Sequence, residues 1–185
     1  FDSLRRISAT SIQIDASGDV WFSGGCLHKF NQQTKQLTEY QHDSHNRLSI
    51  SSNSISSICI GSDGVVWVGT LNAGLNRLNR REESFTHYLE KDGLPNNVIY
   101  GILEDEAGNL WLSTNKGISR FNPQTGVFRN FDEDDGLQAN EFNRGAYFKS
   151  KSGEMFFGGV NGFNSFYPNE ITDNPHVPTI VLTDF

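Results

Sequence analysis

The chain is short of long apolar runs, of positive charge, of cysteine and of helical periodicity, and each shortage excludes something. No run in its 185 residues approaches the ~18 apolar residues of a membrane-spanning helix, so membrane attachment is expected only through segments outside this fragment. Lys and Arg number 15 against 22 Asp and Glu, a formal charge of −7. That balance excludes nucleic acid as a partner, because a phosphate backbone is gripped by clustered cations. The densest basic group, Arg77, Arg80 and Arg81, reads as a solvated sheet edge. Cys26 and Cys59 lie in apolar stretches of adjacent repeats and read as small buried side chains; spacing alone establishes no disulfide between them. Phe1 opens the chain with neither an initiator Met nor a signal peptide, so a piece of a longer protein is expected.

Catalytic and metal signatures are missing too. There is no G-x-S-x-G, no G-x-G-x-x-G, no P-loop and no cysteine beside a fitting base, so no enzyme is expected. His42-Asp43-Ser44-His45 offers two ligands with no third or fourth at diagnostic spacing. Asp132-Glu133-Asp134-Asp135-Gly136 misses the alternation of a calcium loop by one position, and Glu141 comes too early for its bidentate place. Turn acids such as Asp105 and Glu106 read as solvated. Neither a metal nor a cofactor is expected.

What the chain does contain is one phrase repeated four times. It reads I-D-A-S-G-D-V-W-F-S-G at 14–24, G-S-D-G-V-V-W-V-G-T at 61–70 and E-D-E-A-G-N-L-W-L-S-T at 104–114. A fourth copy, S-K-S-G-E-M-F-F-G-G at 150–159, puts Phe156 in the place of Trp21, Trp67 and Trp111. The spacings are 46, 44 and 45 residues. In the third copy, runs of β-formers at 97–104, 110–113, 118–121 and 127–131 alternate with Gly-, Asn- and Asp-rich turns. A mid-forties period of four short strands is the mark of a β-propeller blade. The expected fold is all-β: four consecutive four-stranded antiparallel blades, a partial propeller or a ring closed by dimerisation. Blades fall at about 8–46, 47–91, 92–134 and 135–168, and 169–185 reads as a linker and the first strand of a following β domain. The fourth strand of the last blade is not obvious after Pro168. The first blade, with a shortened phrase, is expected to be the least regular.

A second phrase joins the blades: D-G-L-P-N-N-V at 92–98, D-G-L-Q-A-N-E-F-N at 135–143 and a shorter relative at 49–55. Gly93 and Gly136 would relax the turn, and Leu94 and Leu137 would plug the gap between blades. Asn53, Asn97 and Asn140 would cap the start of each inner strand.

These phrases together resemble the two-component regulator propeller repeat, best at 64–78 and 92–121. The resemblance covers nearly the whole chain, and 136–168 looks like the last repeat of such propellers, which leads into an immunoglobulin-like domain. It implies an extracytoplasmic, periplasmic sensor region of a membrane-bound signalling protein, often responsive to carbohydrate, in rings usually of seven blades. Four blades leave terminal faces open, so self-association is expected.

The tryptophans read as inter-blade packing rather than sugar platforms. A quinone-binding propeller would need a Thr-Gly step before each tryptophan, absent at Ser17-Gly18, Asp63-Gly64 and Ala107-Gly108. Recognition is expected where inter-blade loops ring the channel. Asn140, Glu141, Asn143 and Arg144 form the richest cluster there, with Asn96 and Tyr100 from the preceding blade; amide, carboxylate and guanidinium groups suit the hydroxyls of an oligosaccharide. The competing readings are a protein-interaction scaffold and, more distantly, a propeller lyase or glycosidase.

Overall fold

The computed structural model describes residues 9–171, which form fifteen strands in four antiparallel sheets. Each sheet is a simple meander. The first comprises β1 (Ile12–Ile14), β2 (Val20–Ser23), β3 (Leu27–Phe30) and β4 (Leu37–Tyr40). The second comprises β5 (Ile55–Ile60), β6 (Val66–Thr70), β7 (Leu75–Asn79) and β8 (Ser84–Tyr88). The third runs β9 (Ile99–Glu104), β10 (Leu110–Thr114), β11 (Ile118–Asn122) and β12 (Val127–Phe131). Among the described residues three strands make the fourth: β13 (Phe142–Lys149), β14 (Met155–Gly159) and β15 (Gly162–Phe166). After Phe166 the chain enters a one-turn 3-10 helix at Pro168–Glu170. Proline offers no N–H to a ladder and fixes φ, which ends strand pairing there. The linker and strand expected at 169–185, and the immunoglobulin-like domain they would open, lie almost wholly outside the described residues.

The four sheets are blades of a β-propeller, and tryptophan is the wedge between them. Trp21, Trp67 and Trp111 are 1%, 3% and 1% exposed. Trp21 shares one core cluster with Ile58, Val66 and Val68 of the second blade. Trp67 joins Ile102, Leu110 and Leu112 of the third. Trp111 joins Phe142, Met155 and Phe157 of the fourth. Each ring also meets an aromatic of its own outer strand: Tyr40 at 5.9 Å, Tyr88 at 6.0 Å and Phe131 at 5.6 Å between centroids. Leu94 is buried in the second seam and Leu137 packs against the third, as the crossover phrase predicts.

Regularity falls along the chain in the opposite sense to expectation. The first blade keeps an unbroken register. The second and third each carry one extra residue in the inner strand, Ser56 and Tyr100. In the fourth, five steps along β13 from Phe142 to Tyr147 face two steps along β14, an excess of three residues. The shortened phrase of the first blade trims a turn without disturbing its ladder, whereas the insertion in β13 falls inside the pairing itself.

Candidate ligand-binding site at the propeller axis

Meander topology puts the β2–β3, β6–β7 and β10–β11 turns on the same face as the inter-blade crossovers. All six candidate residues lie on or just below this face. Glycine is required where turn and crossover meet: a Cβ on Gly74 or Gly117 would run into the carbonyl oxygens of Tyr88 or Phe131, and both residues have left-handed φ, 71° and 88°. The two glycine N–H groups donate to the carbonyls of Asn97 and Asn140, at 2.9 and 2.6 Å. That bond fixes the start of the next inner strand.

The asparagine side chains act differently from expectation. They reach back to the preceding crossover instead of capping the inner strand: Asn97 Oδ1 accepts from Glu90 N at 3.0 Å and Asn140 Oδ1 from Glu133 N at 3.1 Å. Each glutamate returns the bond, its Oε1 accepting from the Asn97 or Asn140 N–H at 3.1 Å. Asn53 Oδ1 accepts from His42 N at 2.7 Å in the longer first crossover. Sequence reasoning missed Glu90 and Glu133, although each stands seven residues before its asparagine. Asn140 is therefore a structural clasp. Asn96 is likewise occupied locally, accepting from Val98 N at 2.8 Å. Tyr100, the bulged residue of β9, packs half-buried against the third seam. Glu141 and Asn143 are exposed at the start of β13.

Arg144 is the residue the structure singles out. The insertion in β13 swings it across the axis, where Nη2 donates to Thr10 Oγ1 at 2.8 Å and to the Ile55 carbonyl at 3.1 Å. One guanidinium thus ties the fourth blade to the first and second. It lines a pocket of about 220 Å³ with Ser23, Gly24, Asn53, Ser54 and Leu71. A larger pocket of about 510 Å³ opens on the opposite face between the third and fourth blades. Size does not favour it, because several of its polar groups are already engaged. Its Asp105 accepts from Trp111 Nε1 at 2.9 Å and from Asn109, and its Lys149 donates to the Glu104 carbonyl at 2.9 Å.

Two further readings are corrected on that opposite face. Asp105 is 8% exposed, so it is a buried partner of Trp111 and not a solvated turn acid. Asp15 does the same for Trp21 at 3.0 Å. Burial raises the pKa of Asp15, but bonds from Trp21, Ser17 and the Asp19 N–H, with the Arg80 charge, outweigh it and hold it at about 2. The basic trio is not simply solvated either. Arg80 pairs with Asp15 at 3.0 Å and lies 5.2 Å from the Trp21 ring, while Arg77 lies 5.8 Å from Trp67. These cations sit over indole faces, where the ring quadrupole attracts them.

Both cysteines are free, and burial pushes the Cys59 thiol up to about 12. His42 Nδ1 and His87 Nε2 lie 2.9 and 2.8 Å from the carbonyls of Ile50 and Ser49, so each of these ring nitrogens is the one that carries a hydrogen and donates. Asp132 and Asp135 fold onto their own turn as a capping box. Among the described residues no group of three or more His, Cys, Asp or Glu is placed to hold a metal.

An all-β stack of wedge-packed repeats, with its crossovers and their facing turns on one face, is the architecture of a β-propeller. Residues 49–72 and 93–116 match the two-component regulator propeller pattern. Those two stretches, in the second and third blades, are copies of that repeat. The chain is similar to the extracellular domain of a protein described as a hybrid two-component system of B. thetaiotaomicron, with 30% identity and a TM-score of 0.81. The match covers 95% of this chain and 24% of that one. Histidine kinase P4 of Formosa agariphila is 36% identical over 97 residues, 52% of this chain and 7% of the kinase. The chain therefore spans only a small part of these relatives. Virginiamycin B lyase of Staphylococcus aureus shares the fold alone, at 18% identity and a TM-score of 0.65 over 96% of this chain and 58% of that one.

Proposed function

We propose that this chain is part of the periplasmic ligand-sensing region of a membrane-bound two-component receptor, and that it binds an oligosaccharide at the axial face instead of transforming it. The observation that carries the reading is Arg144, held across three blades in a pocket lined by hydroxyl, amide and backbone groups. A ligand there would touch several blades at once and bias their relative positions, which is how a repeat scaffold converts binding into a mechanical signal. The likeness to an extracellular sensor domain supports the location, and no helix among the described residues is long and apolar enough to cross a membrane. Thermal-shift screening against an oligosaccharide panel tests the reading. A ligand at a hundred times its Kd stabilises by about 2.7 kcal/mol, which moves the melting point by about 5–10 °C for a domain of this size. A panel without a single shift refutes ligand sensing by this chain.

A second reading, self-association, rests on the end faces. Ile12 and Ile14 of the first blade are 62% and 63% exposed, and Phe148 and Phe163 of the fourth are 64% and 65% exposed. Ile12 and Ile14 stand on the face opposite Trp21, the face that in the second blade receives that tryptophan. Phe148 pairs with Phe156 at the tryptophan position. The two ends have the complementary faces of an interior seam, so a second copy can dock head to tail. Light scattering against concentration checks this; a strict monomer at all concentrations overturns it.

A further inference from the structure

We infer that the axial pocket recognises a carboxylate, so that the sugar it takes is acidic, a uronate rather than a neutral hexose. The inference deepens the ligand-sensing reading and rests on it. Three observations converge on Arg144. The first is how it is delivered. One extra residue suffices for the inner strands of the second and third blades, and their bulged residues, Ser56 and Tyr100, stay within the seams. Ser56 donates its hydroxyl to the Ile99 carbonyl of the next blade, and Tyr100 packs on the third core. The fourth blade has three extra residues, and only there does the bulged segment carry a side chain out of its own seam to the axis. Bulges that re-aim a side chain in this way cluster at functional sites.

The second observation is how Arg144 is held. Both of its hydrogen bonds leave from Nη2, to a threonine hydroxyl and a main-chain carbonyl. Neither acceptor carries charge. Among the described residues no carboxylate pairs with it, in a chain with seven more acids than bases. Nη1 and Nε make no hydrogen bond among the described residues, so each keeps an N–H to donate a single charge-assisted bond to an anionic partner. The pair of bonds from Nη2 orients those remaining donors before a ligand arrives, which lowers the cost of binding.

The third is the pocket wall. Every lining group is neutral: Thr10, Ser23, Gly24, Gly25, Asn53, Ser54, Ile55 and Leu71 surround the single cation. The Ser23 hydroxyl is taken by the Thr10 and Ser11 N–H groups and the Thr10 hydroxyl, whereas Asn53 uses only its Oδ1, leaving its NH2 to donate to a ring hydroxyl. A pocket of about 220 Å³ is small for a ligand site and suits one ring with its carboxylate.

The test uses the 185-residue chain with two probes, glucuronate and glucose, at millimolar concentration. Binding is followed by calorimetry and by the Nε–H resonances of arginine in a nitrogen-15 spectrum. Glucuronate is expected to shift one arginine Nε–H signal and glucose to shift none. Arg144→Lys, which keeps the charge but loses the planar guanidinium held by Thr10 and Ile55, should weaken glucuronate about tenfold or more, and Arg144→Gln should abolish it. The spectrum of the unsubstituted chain keeps the inference testable if the glutamine variant fails to fold. Equal binding of the two sugars, or failure of glucuronate to perturb any arginine while a neutral oligosaccharide of the screening panel binds, overturns the acidic-sugar inference and leaves ligand sensing standing. Should neither probe nor any panel member bind, both fall together.

Discussion

The third and fourth blades place the same repeat position in opposite surroundings. Trp111 is 1% exposed, stacked on Phe131 and tilted against Phe166 of the next blade, with its indole N–H held by Asp105. Phe156, one period later, lies half-buried in an aromatic strip with Phe148 and Phe163, both largely exposed, and among the described residues no following blade covers it. The residue class and the strand register are alike. The neighbour differs. Burial at a repeat position is therefore a property of the seam and not of the blade, as expected where stability is a sum of nearest-neighbour interfaces.

That contrast breaks most visibly at the wedge itself. Trp111→Ala should cost about 3–5 kcal/mol, read as a large drop in the urea midpoint, while Phe156→Ala should change the monomer's stability by less than about 1 kcal/mol. Equal losses would mean that the fourth blade's open face is covered. Next in size is the glycine pair of the third blade. Gly117→Ala must drive a Cβ into the Phe131 carbonyl and should cost well over about 2 kcal/mol, whereas Gly126→Ala, with open space beside it and φ of 72°, should cost about 1 kcal/mol.

Acid sharpens the comparison at the first seam. The folded pKa of Asp15, about 2, lies below its ordinary value of 3.8. Its contribution, about 2 kcal/mol, is complete above the unfolded value and drains away as pH falls from about 4 toward 2. Asp15→Asn should be less stable at neutral pH and should flatten that part of the stability–pH curve. An unchanged acid limb would show that Asp15 is not the titrating group. The smallest effect is expected at the exposed clasps. Glu133→Gln should cost no more than about 1 kcal/mol, and a double-mutant cycle with Asn140→Ala should reveal coupling between them.

Most of the fold could be read from residue order because its signals are local. Glycine and asparagine punctuate the strand ends, and the run at Val127–Phe131 matches the observed strand end to end. Inter-blade packing of the tryptophans followed from their size and period. What could not be read depends on contacts across seams. Asp15 and Asp105 look like any turn acid until an indole is placed over them, although each precedes its tryptophan by six residues. The clasping glutamates were hidden for the same reason. Arg144 stood among the candidates for its chemistry, but the three-residue insertion that aims it across the axis has no sequence signature of its own. The other five candidates are structural or exposed; only Arg144 reaches the axial pocket.

The lower seams are latched by three unrelated chemistries. Arg80 of the second blade grips a carboxylate of the first, Glu104 of the third accepts from the Ser62 backbone N–H at 2.7 Å, and Lys149 of the fourth donates to a main-chain oxygen. Gly61 holds the position that Asp15 and Asp105 fill in their own repeats, so the second blade offers no acid there. Though the copies look interchangeable on paper, their order is written into these couplings. Shuffling or duplicating a unit would leave an arginine facing glycine or a glutamate facing another acid. Such a propeller can diversify by point changes far more readily than by swapping modules.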